Sequence, residues 1–423
     1  MMSAKYKKKG ASVPRLRFPE FQDVGEWQES FLGEYSGVVR GGSPRPIDNF
    51  LTIEKDGLNW LKIGDIDKEA KYVVATSEKV RAEALNKTRE ISPSDLILSN
   101  SMSFGRPYIS KIKTCIHDGW IAITKISKKL LTDYIYYLIS SPFSQYYFTS
   151  NAAGSGVQNL NADIIKALPI FFPSVLEQQK IADCLSSLDE SIAAETNKLD
   201  ALKAHKKGLL KQLFPAEGET LPALRFPKFR NAGEWEKSTV NDLLTESCQI
   251  GSKGNKAKKL TVKLWGKGVF EKEEIFQGSV NTQYYRRRSG QFIYSKLDFL
   301  NQAFGIIPHY LDGFESTVDL PCFDFRSDVN PIFFLEYVKR EAFYKKFGEI
   351  ADGGRKAKRI QVDVFLSFPV LLPPQTKEQQ QIADCLSSLD ELITAQGQKI
   401  ELLKDHKKGL MQQLFPRIDE VLA

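Results

Sequence analysis

Apolar residues recur every three or four positions along two stretches of the chain, residues 174–214 and 374–416. This spacing forms a heptad stripe, which predicts two long helices of roughly 50 Å that each pack along one seam. Prolines flank both stretches, and the serine pairs at 186–187 and 387–388 are places where the sequence allows a short break. The seam positions are Ile181, Leu185, Leu188, Ile192, Leu199, Leu202, Leu209, Leu213, Ile382, Leu386, Leu389, Ile393, Ile400, Leu403, Leu410 and Leu414.

The two helical stretches are near-identical copies. The sequence from Glu177 to Glu190 returns from Glu378 to Glu391, and the polar interruptions Glu195 and Lys206 return as Gln396 and Lys407. Leu-Arg-Phe-Pro at residues 16–19, with Gly-Glu-Trp at 25–27, also returns at 224–227 and 233–235. Two such helices can cover each other's seams, and an antiparallel pair would place the intervening domains at opposite ends, related by a pseudo-two-fold axis.

Between these repeated ends the two halves of the chain hardly match. Short runs bounded by Gly, Pro, Asn and Ser predict strands at 60–63, 96–98, 108–112 and 120–124, followed by a helix over 130–140. The second half predicts strands at 260–264, 291–294 and 304–307 and a helix over 331–347. The fold class is therefore mixed α/β, and a constant scaffold holding two exchangeable domains is predicted.

Residues outside the seam also repeat, namely Asp183, Cys184, Ser187, Glu190 and Lys207 against Asp384, Cys385, Ser388, Glu391 and Lys408. Packing of the seam does not require these identities. They indicate that the two copies bind two copies of one partner, although recent homogenisation of the repeated ends would leave the same pattern.

Composition indicates the cellular compartment of the protein and argues against several classes of functional site. No stretch of the 423 residues is long and apolar enough to cross a bilayer, so no membrane association is expected. Five cysteines without a Cys-x-x-Cys pair favour a reducing, cytoplasmic location, and four scattered histidines argue against a zinc site. The chain has no phosphate-binding loop of the Gly-x-x-x-x-Gly-Lys-Ser/Thr type and no Asp/Asn-Pro-Pro-Tyr/Phe methyltransferase motif. We therefore expect no catalytic residue, no metal and no cofactor in this chain.

The net charge of +7 is modest, but basic and amide side chains cluster in predicted loops. Arginine can bond guanine in a bidentate manner and Asn or Gln can do the same with adenine, although ordinary turn chemistry favours similar residues. Candidates in the first half are Arg40, Arg45, Lys62, Ser99, Asn100, Ser101, Ser103, Arg106, Gln158, Asn159 and Asn161.

Candidates in the second half are more basic and are expected to hold phosphates, although each cluster could equally be solvated surface. They are Lys256, Lys258, Lys259, Arg286, Arg287, Arg288, Arg355, Lys356, Lys358 and Arg359.

The chain resembles the specificity subunit of type I restriction–modification enzymes from about Pro14 to Pro416. The resemblance lies in Pro-x-x-x-Glu-Gln-Gln-x-Ile-Ala followed by a heptad helix, twice, each copy behind a variable domain. Gly-Gly-Ser-Pro at 41–44 and Trp-Leu-Lys-Ile-Gly-Asp-Ile at 60–66 look like one class of target recognition domain, and the second domain looks like another.

The resemblance implies that each domain reads one half of a split double-stranded DNA site, with the paired helices fixing the gap. Two methyltransferase subunits using S-adenosylmethionine and two motor-nuclease subunits using ATP and Mg²⁺ would join the chain, which would itself be non-catalytic. The expected segments are a basic tail (1–14), domain 1 (15–173), helix 1 (174–214), a linker (215–222), domain 2 (223–373), helix 2 (374–416) and a tail (417–423).

Two alternatives share some of these features. The recognition subunit of a type IIB-like system has the same layout but works with a fused nuclease–methyltransferase. A tandem-repeat protein adaptor would lack a DNA role, and its DNA binding would not fall steeply with salt.

Overall fold

The computed structural model describes residues 13–100, 104–152, 160–273, 278–349 and 359–415. The chain divides into two compact units, one comprising Met1–Glu195 and Lys399–Ala423 and the other Thr196–Gln398. Each unit takes one diverged domain, the beginning of one long helix and the end of the other. Each predicted long helix is therefore shared between the two units.

The first domain is built from short strands, with its helices mainly in its C-terminal part. Its elements are β1 (Gln28–Phe31), α1 (Leu32–Tyr35), β2 (Gly37–Arg40), β3 (Leu51–Thr52), β4 (Leu58–Leu61), β5 (Tyr72–Val73), β6 (Glu78–Val80), β7 (Arg89–Ile91), β8 (Leu96–Ser99), β9 (Pro107–Ser110), β10 (Thr114–Ile116), β11 (Trp120–Thr124), α2 (Thr132–Ser140), α3 (Pro142–Asn151), α4 (Ala162–Lys166) and β12 (Pro169–Phe172).

Two five-stranded sheets form this domain, in the orders β2-β11-β8-β9-β5 and β3-β6-β4-β10-β7, and β1 pairs with β12. Most strand pairs are antiparallel, but β4–β10 and β5–β9 are parallel. The helix predicted over 130–140 is observed as α2, whose Tyr134, Ile135 and Leu138 are buried in the core with Leu96 and Ile121. The mixed α/β class predicted from the sequence is confirmed.

Aromatic side chains fill most of the second domain's core. Its elements are β13 (Glu236–Thr239), β14 (Leu244–Ser247), β15 (Ile250–Lys253), β16 (Leu260–Lys263), β17 (Gly268–Glu271), β18 (Gln283–Arg286), β19 (Phe292–Tyr294), β20 (Phe304–Ile306), β21 (Glu315–Ser316), β22 (Cys322–Phe325), α6 (Pro331–Val338), α7 (Glu341–Gly348), α8 (Val362–Leu366) and β23 (Pro369–Leu372), with the long helix α5 (Val175–Leu213) before them and α9 (Thr376–Leu414) after them. The sheets run β14-β22-β19-β20, β15-β18-β21, β16-β17 and β13-β23.

The single helix predicted over 331–347 is two helices, α6 and α7, separated at Lys339–Arg340. Arg340 has an extended backbone, and its guanidinium lies 4.0 Å from the ring centroid of Tyr337 and 4.6 Å from that of Phe214. It also donates to the carbonyl of Pro215. A half-buried arginine that contacts both the end of α5 and the second domain accounts for a break that periodicity alone does not reveal.

Both long helices are continuous over 39 residues, roughly 58 Å each. The breaks that the sequence allows at the two serine pairs are absent. Every predicted seam residue is buried or half-buried. The seam residues that precede the serine pairs, Leu185 and Leu386, are fully buried.

The polar interruptions of the seam form ion pairs that repeat between the units. In the first unit, Lys407 pairs with Asp189 at 2.5 Å, and Glu195 pairs with Lys399. In the second unit, the equivalent Lys206 pairs with Asp390 at 2.7 Å. Within the first unit the pairing runs antiparallel, since the later residue of α5 meets the earlier residue of α9.

Each domain adds its own group to this ion pair. Tyr137 of α2 donates its hydroxyl to Asp189 at 2.6 Å, and burial raises the pKa of Tyr137 well above its ordinary value. In the second unit the carboxylate of Glu336 of α6 lies 3.1 Å from Lys206. The repeated lysine–aspartate pair is therefore constant, and the side chain presented by the domain is variable.

A buried arginine–glutamate pair fastens the start of each domain to the first turn of its helix. Arg17 donates from Nε and Nη2 to the two carboxylate oxygens of Glu177, both at 2.7 Å. Arg225 and Glu378 repeat the contact at the same two distances. Both carboxylates are 1% exposed, which explains why this arginine and this glutamate recur in both copies.

The first glutamine of each Glu-Gln-Gln motif ties the helix to a loop of its domain. Gln178 accepts from the backbone N–H of Leu131 at 2.9 Å and donates to the carbonyls of Lys129 and Pro173. Gln379 accepts from the backbone N–H of Asn330, also at 2.9 Å. The motif that recurs in the sequence is thus a structural clamp between helix and domain.

No helix in the described ranges combines the length and the apolar character that a membrane span requires.

Replacing Glu378 by Gln should destabilise the second unit by about 3–5 kcal/mol, because the Arg225 guanidinium would be left buried without a compensating charge. Urea unfolding of the full chain at neutral pH measures this. The control is Glu341→Gln, which breaks the exposed pair with Lys345 and should cost less than about 1 kcal/mol. Equal losses of stability for the two variants would show that the Arg225–Glu378 pair does not fasten the second domain to its helix.

Candidate nucleic-acid interface

Residues predicted to contact DNA converge on one turn of the first domain, His117–Gly119, which connects β10 to β11. Arg40 ends β2, and its Nε donates to the carbonyl of Asp118 at 3.0 Å. The glycines that follow allow close backbone packing, since a Cβ on Gly41 would lie 2.1 Å from the carbonyl oxygen of His117. The Gly-Gly-Ser-Pro sequence is therefore required to bring this loop against the turn.

The carboxylate of Asp118 is the centre of this cluster. It accepts from the hydroxyl of Ser43 at 2.7 Å and from Arg45 Nη2 at 3.1 Å. The Ser43 hydrogen bond, helped by the charge of Arg45, lowers the pKa of Asp118 and keeps it ionised. The Arg45 side chain is 80% exposed, so its guanidinium is held at one edge and open to solvent elsewhere.

Asn100 joins the same turn from the end of β8. Its Nδ2 donates to the carbonyl of Asp118 at 2.9 Å, and its own carbonyl accepts from the N–H of Leu160. Ser101 and Ser103, and Gln158 and Asn159, lie outside the described residues.

His117 supports the turn from beneath. Its ring lies between Trp60 and Trp120, with centroids 6.1 Å from each, and its Nδ1 accepts from the N–H of Gly119 at 2.8 Å. Burial lowers the pKa of His117, so the ring is neutral at pH 7 and adds no positive charge to the cluster.

The other predicted residues of the first domain lie elsewhere or have structural partners. Ser99 is fully buried in β8, and the Oδ1 of Asn161 caps α4 by accepting from two backbone N–H groups. Lys62 pairs with Glu78 at 2.6 Å, and the half-buried Arg106 pairs with Glu69 at 3.5 Å.

The basic residues of the second domain separate into exposed and buried sets. Lys256, Lys258, Arg286 and Arg359 are exposed, whereas Lys259 is 4% exposed. The ammonium of Lys259 lies 5.4 Å from the ring centroid of Tyr284. Arg355, Lys356 and Lys358 lie outside the described residues.

Neighbouring arginines of the second domain have opposite environments. Arg287 is 2% exposed and donates to the Ser316 hydroxyl and to the carbonyls of Ser247 and Leu320. It therefore holds strands together, and its guanidinium is not accessible to a phosphate in this structure. Arg288 is exposed and contacts the carboxylate of Asp324 with 3.2 Å to each oxygen.

Sequence reasoning missed Asp118 and Asp324. A single acidic residue in a predicted loop does not indicate a binding site by itself. Its role is evident only in the fold, which brings an arginine to its carboxylate. Asp118 and Asp324 play the same part in the two domains, since each holds one exposed arginine by its carboxylate. The structure thus defines a class, a protein with two dissimilar domains that present basic and amide side chains on a duplicated helical scaffold.

The known proteins that are similar to this chain are specificity subunits of type I restriction enzymes. Residues 25–204, which include most of the first domain and of α5, match the family model for the type I restriction modification DNA specificity domain. The chain is 22% identical to the type I restriction enzyme MjaVIII specificity subunit of Methanocaldococcus jannaschii over 435 aligned residues, covering 95% of this chain and 93% of that protein. The MjaIX specificity subunit of the same organism is 26% identical over 218 residues, covering 51% of this chain and 47% of that protein.

Solved structures share the fold. A type I restriction–modification S subunit from M. genitalium superposes with a TM-score of 0.58 and 14% identity, covering 96% of this chain and 99% of that one. A second structure, described as showing complex assembly and conformational transition of the type I R-M system, superposes with a TM-score of 0.58 and 15% identity. The alignment covers 93% of this chain and 98% of that one. The first half of the chain thus matches the type I restriction modification DNA specificity domain, and the chain as a whole is similar in sequence and in fold to specificity subunits of type I restriction enzymes.

Replacing Asp118 by Asn should relax base discrimination by the first domain, because Arg45 loses the charge that positions it. The expected loss is about 1–3 kcal/mol at one base, with less than about 1 kcal/mol of stability, since the pair is exposed. Long-read mapping of N6-methyladenine in cells that express the chain with its methyltransferase measures the motif.

Asp324→Asn is the matched variant in the second domain, where it frees Arg288 from the same kind of contact. Asp324→Asn should leave the motif unchanged, because Arg288 is expected to contact a phosphate, which positions the protein without specifying sequence. An unchanged motif for Asp118→Asn would show that the turn does not read DNA.

Proposed function

We propose that the chain reads a bipartite, asymmetric DNA site, one half-site for each domain, and holds the two halves at a fixed spacing. The observation that carries this proposal is the repeated clamp of Arg17–Glu177 and Arg225–Glu378 beneath two domains whose sheets differ. Identical fastening with different recognition surfaces is the arrangement expected when each domain reads its own sequence.

In the first domain, we infer that the Asp118 turn faces the DNA. Arg40 and Arg45 meet there, and arginine is the side chain that bonds guanine in a bidentate manner. Asn100, predicted as a DNA contact, is 3% exposed and bonds the carbonyl of Asp118, so it positions the turn and does not itself reach a base. The DNA contacts predicted for Ser101, Ser103, Gln158 and Asn159, which lie outside the described residues, remain predictions. Ser99 supports the turn from within the sheet.

In the second domain, the exposed residues Lys256, Lys258, Arg286, Arg288 and Arg359 are the proposed phosphate contacts, which position the protein without specifying sequence. The same role for Arg355, Lys356 and Lys358 remains a prediction. Arg287 and Lys259 are excluded from direct contact because they are buried. Lys62 and Arg106 remain proposed DNA contacts of the first domain, because their ion pairs are open to solvent.

The two long helices are proposed to set the spacing between the half-sites. A 39-residue helix without a break is a stiff element, and its seam is buried or half-buried along its whole length. The lysine–aspartate pairs fix the register of one helix against the other, because a slip of one turn would separate Lys407 from Asp189.

The chemistry is proposed to reside in partner subunits. Two methyltransferase subunits would bring S-adenosylmethionine, and two motor-nuclease subunits would bring ATP and Mg²⁺. The outer face of the helices is the proposed docking surface, since Ser187, Glu190 and Lys207 are exposed and recur as exposed residues at Ser388, Glu391 and Lys408.

Inserting one heptad into each helix, after residues 197 and 398, should lengthen the spacing by about 10 Å, or about 3 base pairs. Methylation mapping should show the same two half-sites with a longer gap. An insertion in α5 alone breaks the register of the seam and serves as the control. A change in half-site bases with the gap unchanged would contradict the proposal.

Charge reversal at both Lys207 and Lys408 should weaken binding of the methyltransferase subunits about tenfold or more, which corresponds to about 1.4 kcal/mol. Titration of purified subunits by calorimetry or light scattering measures this. Lys377→Glu is the control, because Lys377 is exposed on α9 but its counterpart in α5 is Leu176. Unchanged binding by the double variant would remove the docking proposal.

A further inference from the structure

A two-stranded ribbon, formed by β16 and β17, carries an exposed tryptophan at its tip. The strands pair from Leu260↔Glu271 to Lys263↔Gly268, so the turn comprises residues 264–267. Trp265 is 59% exposed. An exposed tryptophan at the tip of a hairpin requires an explanation, since its burial would be favourable.

The backbone at this tip is unusual for such a large side chain. Trp265 has φ of +61° and Gly266 has φ of +66°, the left-handed pair of a type I′ turn. The first of these positions favours Asn, Asp or Gly, because a bulky residue is strained there. Strain of this kind persists where the surroundings impose it, and it is concentrated at functional sites.

The tip is anchored rather than loose. The N–H of Trp265 donates to the carbonyl of Asn301 at 2.7 Å, and that of Gly266 donates to the carbonyl of Gln302 at 2.9 Å. Phe299, which begins the same loop, is 1% exposed in the core. The fold therefore fixes the backbone that carries the indole.

The surroundings of the indole are basic. Lys263, the last residue of β16, and Lys267, in the turn, flank it in sequence, and both are exposed. The ammonium of Lys263 lies 5.5 Å from the ring centroid of Phe270, which is 40% exposed on the outer face of the ribbon. Two lysines beside an exposed aromatic surface are typical of a site that binds the phosphates and bases of a nucleic acid.

We propose that the β16–β17 ribbon is a DNA-contacting element of the second domain, with Trp265 against the sugars and base edges of one groove and Lys263 and Lys267 on the flanking phosphates. This inference rests on the proposed reading of duplex DNA by this domain. It adds a contact that basic clusters alone would not indicate.

The dimensions of the ribbon suit this role. A two-stranded ribbon fits the major groove, which is about 12 Å wide. The basic segment with Lys256 and Lys258 leads directly into β16, and four strand residues separate it from the turn. At about 3.3 Å per residue the tip lies roughly 15 Å from that segment, so one duplex lying along the ribbon reaches both.

The fluorescence of Trp265 can be separated from that of the other tryptophans. The chain has five, and Trp27, Trp60, Trp120 and Trp235 are each at most 4% exposed. Iodide should therefore quench Trp265 selectively. Incorporating 5-hydroxytryptophan into this chain alone allows its emission to be excited in the presence of unlabelled methyltransferase subunits.

A saturating duplex that carries the mapped methylation motif should abolish the iodide-accessible fraction. Trp265→Asn should lack that fraction from the start. If the indole stays accessible on the bound duplex, the inference fails and the proposed function stands. Protection by the methyltransferase alone would make the ribbon a protein contact and also overturn the inference. A wild-type complex that binds no duplex would remove the proposed function and the inference with it.

Trp265→Asn also separates function from folding. It creates the Asn-Gly pair that a type I′ turn favours, so the thermal midpoint should equal or exceed that of the wild type. Affinity for the same duplex should nevertheless fall about tenfold or more, the range for loss of an aromatic contact with a base. Val318→Ala, another exposed apolar residue of this domain, should change neither property. Unchanged affinity for Trp265→Asn would contradict the proposal.

Discussion

Two buried ion pairs, Arg17–Glu177 and Arg225–Glu378, determine how recognition domains of different sequence can be carried by one helical scaffold. A carboxylate with 1% exposure is costly unless it is fully paired, and each glutamate receives two guanidinium hydrogen bonds of 2.7 Å. The residues in contact come from the start of a domain and the first turn of a helix. Any domain that enters and leaves through these points can be attached without changing the helices.

The seam and its ion pairs extend this constraint along the helices. Lys407–Asp189 and Lys206–Asp390 repeat the same chemistry in the two units, while the domains contribute Tyr137 in one case and Glu336 in the other. The constant part of the contact therefore lies in the helices and the variable part in the domains. This division matches a protein whose domains diverge while its fastening is preserved.

Much of the architecture could be predicted because it is local or repeated. A heptad stripe specifies a helix and its buried face, and the structure has both helices, although the breaks that the serine pairs allow are absent. The interface was harder to predict because it depends on distant residues. Arg286, Arg287 and Arg288 are adjacent and chemically equal in sequence, yet Arg287 is buried because Ser247, Ser316 and Leu320 surround it. The sequence pattern did not single out Asp118 or Trp265, because only the fold shows that a turn and a ribbon carry them at the surface.

The most direct test of this account is an exchange of residues 28–172 for the corresponding domain of another specificity subunit, followed by long-read mapping of N6-methyladenine with the same methyltransferase. The exchange preserves Arg17, Glu177 and both helices. The account predicts a bipartite motif in which one half changes while the other half and the gap length stay as they were. A change in both halves, or loss of the motif from a complex that still assembles, would contradict it.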